Sequence, residues 1–181
     1  MRIVGIEPAL PKPHYLSNIN LVRVGLPQLL TDLRNKGHEV KLFMEEAYFP
    51  DEDELLEETG NADLVAISTL SATHPRGREL ADLISCQSGA AVVFGGPHVT
   101  FCDPEEALES ADYAIRYEAE FALPLLVEMI EGKRDIKTVP SLVYWGPDGE
   151  VVETDSSLDI PNLNDFPFPD FSLIKGWRNY F

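Results

Sequence analysis

Four stretches of this sequence carry chemistry by residue type and spacing. Ser68-Thr69-Leu70-Ser71-Ala72-Thr73 is hydroxyl-rich and directly follows the apolar run Leu64-Val65-Ala66-Ile67. Each hydroxyl there can donate and accept a hydrogen bond. Gly95-Gly96-Pro97-His98 follows Val92-Val93-Phe94, and a glycine pair lets backbone approach a bulky partner closely. Arg116-Tyr117-Glu118-Ala119-Glu120 follows Tyr113-Ala114-Ile115 and offers a cation and two carboxylates. The loop from Glu7 to Leu21, which includes His14, follows the apolar segment Arg2 to Ile6. Together these groups suit polar contacts to a sizeable ligand. The competing reading is that Gly95-Gly96 makes only a tight turn and the hydroxyls only cap the next helix. No convincing acid–base pair emerges, and spacing suggests no Ser-His-Asp or Cys-His grouping.

The elements that would position these residues alternate strand and helix. Arg2 to Ile6 reads as a strand, and Leu26, Leu29, Leu30 and Leu33 recur as one face of a helix. Pro27 suits that helix's first turn and Gly37 its stop. Val40, Leu42 and Met44 alternate as a second strand. Asp51 to Glu58 holds six acids in eight residues, which reads as the solvated first turn of a helix favoured by its dipole. Calcium binding is the sharper alternative, but the stretch lacks EF-hand spacing and its glycine. Leu64 to Ile67 reads as a third strand and Pro75 to about Gln87 as a helix. Ala90 to Phe94 reads as a fourth strand, and Asp103-Pro104-Glu105-Glu106 as a capping box opening a short helix. Tyr113 to Arg116 reads as a fifth strand, and Leu125, Leu126, Met129 and Ile130 mark a last helix. Right-handed crossovers then predict an α/β fold with a five-stranded, parallel, doubly wound sheet in the order 2-1-3-4-5. Its four chemical stretches fall together at the C-terminal edge, where such sheets bind ligands. Beyond it, Leu142 to Trp145 and Val151 to Thr154 flank Gly146-Pro147-Asp148-Gly149 as a β-hairpin. After Asp159 the chain is Pro- and aromatic-rich without periodicity and reads as a linker. Residues 166–181 carry six of the seventeen aromatics, which predicts a tail that is mobile or buried only against another body.

Composition narrows the classes. Fourteen basic against thirty-one acidic residues give a net charge of −17, which argues against nucleic acid and anionic membranes. No apolar run is long enough to span a bilayer, and an acid at Glu7 interrupts any signal-peptide core. Two cysteines, Cys86 and Cys102, build no disulfide framework and no iron–sulfur site, so a cytoplasmic setting is expected. There is no G-x-G-x-x-G after the first strand and no Walker A sequence. Ser68 and Thr69 stand where a phosphoacceptor receiver needs an acid. Glu7-Pro8-Ala9-Leu10 stands where a flavodoxin needs its phosphate loop.

Val92 to Thr100, followed by Pro104-Glu105-Glu106-Ala107-Leu108, resembles the N-terminal cobalamin-binding domain of B12-dependent radical SAM proteins. That group includes the anaerobic magnesium-protoporphyrin ester cyclases and several methyltransferases. Gly25-Leu26-Pro27, Leu33 to Val40, Asp63 to Ser68, and Asp112 to Arg116 with Glu118 and Glu120 fit the same family in order. Pro140 to Tyr144, Asp148-Gly149 and Phe166 to Asp170 resemble its hairpin and the passage into the radical SAM barrel. Tyr117 and Ala119 stand where the family's "R-G-E-G-E" turn has glycines, which alters the fit there. The chain also ends before any C-x-x-x-C-x-x-C motif.

The resemblance implies a Rossmann-like (flavodoxin-like) domain over 1–136, a hairpin extension over 137–160, and a linker over 161–181 toward a barrel outside this chain. It implies a cobalamin across the C-terminal edge of the sheet, contacted by Ser68, Thr69, Ser71, Gly95, Gly96, Pro97, His98, Arg116, Tyr117 and Glu118. It implies a [4Fe–4S] cluster and S-adenosylmethionine only in the barrel, so this chain binds rather than catalyses. The D-x-H-x-x-G motif of methionine-synthase-type domains is absent, so a base-off corrinoid is expected. His14 is the remote candidate for a cobalt ligand, otherwise a solvated loop residue. His38 is expected to favour its helix's C-terminal dipole as a cation, and His74 to lie at the surface. Cys102 reads as a half-buried thiol, and Arg116 as a partner for Glu118 or Glu120. Two other functions stay in play: a corrinoid-free scaffold of the same fold, and a flavodoxin-like enzyme acting on a nucleotide or sugar.

Overall fold

The computed structural model describes residues 1–12, 23–156 and 162–179. One sheet runs through it, formed by β1 (Arg2–Glu7), β2 (Glu39–Met44), β3 (Leu64–Ser68), β4 (Ala91–Gly95), β5 (Tyr113–Ile115), β6 (Leu142–Trp145) and β7 (Val151–Glu153). The order is β2-β1-β3-β4-β5-β6-β7. The first five strands are parallel in the order expected from the sequence. The hairpin does more than extend the domain. β6 pairs antiparallel with β5 through Tyr113↔Tyr144, Ala114↔Val143 and Ile115↔Leu142, so the sheet continues past its fifth strand. A three-residue β5 at an open edge would expose its unpaired backbone groups, and the hairpin covers them.

The connections are α1 (Gly25–Asn35), α2 (Glu52–Gly60), α3 (His74–Gln87), α4 (Pro97–Phe101), α5 (Pro104–Ala107) and α6 (Ala119–Ile130). Strand side chains alternate between two apolar layers, as a sheet covered on both faces requires. Ile3, Leu42 and Leu64 face α1 and α6, meeting Leu26, Leu30, Leu33, Leu123 and Leu126. Val4, Phe43 and Val65 face α2 and α3, meeting Leu55, Leu80 and Ile84. The leucine face read at Leu26, Leu30 and Leu33 is therefore the buried side of α1.

Asp51 caps α2, its Oδ1 accepting from the Glu54 N–H at 2.8 Å. Two of the six acids are not simply solvated. Glu58 pairs with Arg2 and Lys41, and Glu54 with Tyr48 and Lys175. Gly95 to Thr100 is not merely a loop: after the positive-φ Gly96 the chain winds at once into α4, with Pro97 in its first turn. Asp103 makes no side-chain cap hydrogen bond, so the expected capping box is not closed at that end.

The aromatic tail departs from expectation. Ile174 is buried and bridges in parallel to Leu42, and the Lys175 N–H donates to the Leu42 carbonyl at 3.0 Å. The Asp170 N–H donates to Thr31 Oγ1 at 2.9 Å, and Arg34 pairs with the Asp170 carboxylate at 2.7 Å. Phe171, Leu173 and Trp177 pack against the α1 layer. From Asp170 to Trp177 the tail therefore packs within this chain, along the edge of β2, although Phe168 stays 95% exposed.

Candidate functional site

In this strand order α1 leads from β1 to β2, and the chain then crosses to β3 on the other side of β1. The C-terminal ends of β1 and β3 therefore flank the switch point. A cleft of about 700 Å³ opens there. Its size is that of small-molecule and cofactor sites generally. Leu26 and Leu29 of α1 and Leu123 of α6 form one wall; Ser68 of β3, Gly95 of β4 and Pro97, Thr100 and Phe101 of α4 form the other. Tyr117, Glu118 and Glu120 stand at the end of β5 and the start of α6. Most of the lining is apolar, with polar groups at a few points.

The glycine pair divides its labour. Gly96 has φ +94°, and a Cβ there would fall 2.7 Å from the Thr69 carbonyl oxygen and 3.0 Å from Ser68 Oγ. Its glycine character serves the packing of one loop on another. A Cβ at Gly95 would meet nothing nearer than the Ile115 carbonyl at 3.9 Å, so Gly95 leaves the cleft wall bare. Both glycines line the cleft, but only Gly96 is required by the packing of the two loops.

Of the hydroxyl residues between Ser68 and Thr73, only Ser68 lines the cleft. Thr69 is fully buried behind it. Its N–H donates to the Gly95 carbonyl at 2.9 Å, and its Oγ1 lies 3.2 Å from His74 Nδ1. Ser71 Oγ lies 3.3 Å from His98 Nδ1. His98 turns away from the cleft. Its ring stacks on His74 at 3.9 Å between centroids, and its Nε2 lies 3.5 Å from Glu106. His74 is buried, not at the surface, and its ring tilts against Phe94. Burial, then the neighbouring His98 and Arg78, pull its pKa down to about 4. His74 is thus a neutral packing element.

Arg116 also serves the scaffold. It donates to the Thr100 carbonyl at 2.9 Å and pairs with Glu153 of β7 at 3.2 Å, not with Glu118 or Glu120. It thereby ties the end of α4 to the hairpin. Tyr117 holds φ +61°, its N–H donates to Thr100 Oγ1 at 3.0 Å, and its ring is half-exposed at the cleft. A side chain in the left-handed region costs roughly 1–2 kcal/mol. A residue usually glycine in the resembled turn thus keeps a glycine's backbone here. Burial raises the Glu120 pKa, with Glu118 adding to the rise.

Burial also lowers the pKa of His38, and the nearby amino terminus adds to this, which opposes the cationic form expected at the end of its helix. Burial raises the Cys102 thiol, followed by Glu106. His14 lies outside the described residues.

One pair at the cleft was not anticipated. Glu7 is 1% exposed, and Arg23 Nε lies 3.1 Å from its Oε2. Burial, opposed by Arg23, raises the Glu7 pKa to about 7. Both residues line the cleft. The signal in the sequence is an acid closing an apolar strand at the head of the Glu7 to Leu21 loop, which the strand order puts at the ligand-binding edge.

The model of the B12 binding domain family matches residues 20–127. This chain belongs to that family. As a B12-binding domain it matches solved structures of larger proteins. It aligns with the cobalamin-dependent S-adenosylmethionine radical enzyme OxsB with aqua-cobalamin and S-adenosylmethionine bound, at TM-score 0.80 and 16% identity over 99% of this chain. It aligns with the radical S-adenosylmethionine methyltransferase TsrM from Kitasatospora setae, with tryptophan and a SAM analogue bound, at TM-score 0.69 and 20% identity over 85% of this chain. The chain spans 25% of the OxsB chain and 30% of the TsrM chain. At these identities the likeness is one of fold. No curated protein matches. Among the described residues, no helix is long and apolar enough to cross a membrane, and no three His, Cys, Asp or Glu side chains group to hold a metal ion.

Proposed function

We propose that this B12-binding domain holds a corrinoid across the cleft at the C-terminal edge of its sheet, and that it works as one module of a B12-dependent radical SAM enzyme. The observation that carries the reading is the place of the cleft. It sits at the switch point of a chain of this family, walled by the bare backbone of Gly95 and by Ser68. Ser68, Gly95, Gly96, Pro97, Tyr117 and Glu118 would contact the cofactor. Thr69, Ser71, His98 and Arg116 would act one step back, holding the loops that carry those contacts. A corrinoid, when bound, supplies a cobalt centre that carries methyl groups or changes oxidation state; the protein positions and tunes it.

The corrinoid is read as base-off and without a histidine ligand. His38, His74 and His98 do not line the cleft, and Glu7 ends β1 with Pro8-Ala9-Leu10 following it where a ligating motif would stand. Residues 1–136 form the cofactor domain, 137–160 the hairpin, and 161–181 the passage toward a barrel that would hold a [4Fe–4S] cluster and S-adenosylmethionine. Methyl transfer or radical rearrangement belongs to that larger enzyme, and cytoplasm is its setting. Titration of the chain with hydroxocobalamin tests the reading. A saturable one-to-one spectral change of base-off type is expected. No change at high micromolar concentration would leave a corrinoid-free scaffold. A spectrum of base-on or histidine-ligated cobalamin would overturn the base-off assignment alone.

A further inference from the structure

The Glu7–Arg23 pair is incomplete. Arg23 Nη2 donates to the Pro8 carbonyl at 2.8 Å, and Arg23 Nε makes an ion contact with Glu7 Oε2 at 3.1 Å. Arg23 Nη1 and Glu7 Oε2 are both buried, yet neither has a hydrogen-bond partner among the described residues. Leaving such groups unpaired inside a protein is costly, most of all for charged ones. The two residues line the cleft together with Leu26 and Leu29. They bring to this lining a buried donor and a buried acceptor that the described residues leave without a hydrogen bond.

We propose that Glu7 and Arg23 recognise a primary carboxamide on the ligand of this cleft. Arg23 Nη1 would donate to the amide oxygen, and Glu7 Oε2 would accept from the amide nitrogen. An anion would satisfy Arg23 but be repelled by Glu7, and a cation would meet the reverse. A primary amide offers both an acceptor and a donor in one plane and carries no charge. The assignment rests on the corrinoid reading, because the corrin ring bears primary amides around its rim.

The experiment compares hydroxocobalamin with its monocarboxylate derivatives, in each of which one rim amide is hydrolysed to an acid. Binding to the whole chain is read by absorbance at pH 8, where Glu7 is largely ionised. At least one derivative is expected to bind about 10- to 100-fold more weakly than the parent, because its carboxylate loses the donor and faces Glu7. In Glu7→Gln that difference should shrink to about threefold or less, because the repulsion is gone. Arg23→Lys should weaken the parent about tenfold by removing the fork that carries Nη1.

The wild-type comparison depends on no variant folding. If every derivative binds like the parent, the amide pair falls while the corrinoid reading stands. The pair falls equally if the penalty persists unchanged in Glu7→Gln. If hydroxocobalamin itself does not bind, the corrinoid reading fails and takes this assignment with it.

Discussion

The two sides of the Gly95-Gly96 turn are built on opposite plans. Behind it, Thr69, His74, His98 and Ser71 pack on one another, and the space at Gly96 is filled by Thr69 backbone, although His74 Nε2 and His98 Nε2 have no hydrogen-bond partner among the described residues. In front, Gly95 faces open space, Glu7 and Arg23 keep polar atoms without a hydrogen-bond partner among the described residues, Tyr117 holds a left-handed backbone, and Phe101 is 86% exposed. Residue type does not separate the two sides, since each has hydroxyls, charge and aromatic rings. The difference is space: behind the turn the chain packs against itself, and in front of it a cleft is left open.

The sharpest way to break this contrast is to add a methyl group on each side. Gly96→Ala should destabilise the domain by about 3 kcal/mol, because it forces a side chain into a glycine-only backbone region and against the Thr69 carbonyl. Gly95→Ala should change stability by less than about 1 kcal/mol, because its Cβ meets only ordinary contacts. It should instead weaken hydroxocobalamin. Urea melts and titrations of the two variants measure both effects. Equal destabilisation by the two would erase the division of labour.

Acid and base should sharpen the contrast next. Glu7 has its folded pKa raised to about 7 from 4.5, so the fold prefers the neutral acid. Its contribution is fully present below about pH 4.5 and is lost as pH rises through 7. Glu7→Gln should therefore gain on the wild type by about 3 kcal/mol between pH 4.5 and 8. His74 behaves oppositely. Its folded pKa is lowered to about 4 from 6.5, so its contribution is present above 6.5 and is lost as pH falls toward 4. His74→Gln should show a smaller relative gain on the acid side. Denaturation across pH 4 to 8 checks both, and parallel curves for wild type and Glu7→Gln would contradict the raised pKa.

What was legible in the sequence follows the same physical line. The parallel core could be read because apolar runs and right-handed crossovers are local or general constraints: Leu64 to Ile67 and the leucine face of α1 announce themselves. The pairing of Tyr113 with Tyr144 and the docking of Ile174 on Leu42 join distant segments, and no periodicity marks them. At the site, the edge of the sheet was legible but side-chain direction was not. Ser68 and Gly95 reach the cleft, while Thr69, Ser71, His98 and Arg116 lie outside its lining. A turn of φ +94° at Gly96 redirects everything after it, and that angle has no signature beyond the glycine itself.

The smallest effect tests whether strain at the cleft is retained for a ligand. Tyr117 sits at φ +61° with its ring half-exposed, so the chain gains little packing in return for its backbone cost. Glycine has no Cβ to oppose that angle, but it loses more backbone entropy on folding. The two terms partly cancel, and Tyr117→Gly should stabilise the domain by about 0.5–1 kcal/mol. Arg116 bears on this result because its guanidinium lies 5.8 Å from the Tyr117 ring centroid, although its bonds to Thr100 and Glu153 persist without that ring. If the ring closes over a corrinoid, the same variant should release hydroxocobalamin faster while melting higher. A variant that melts lower would mean that Tyr117 is fixed by the fold's own packing, and the strain would then belong to the packed side of the turn.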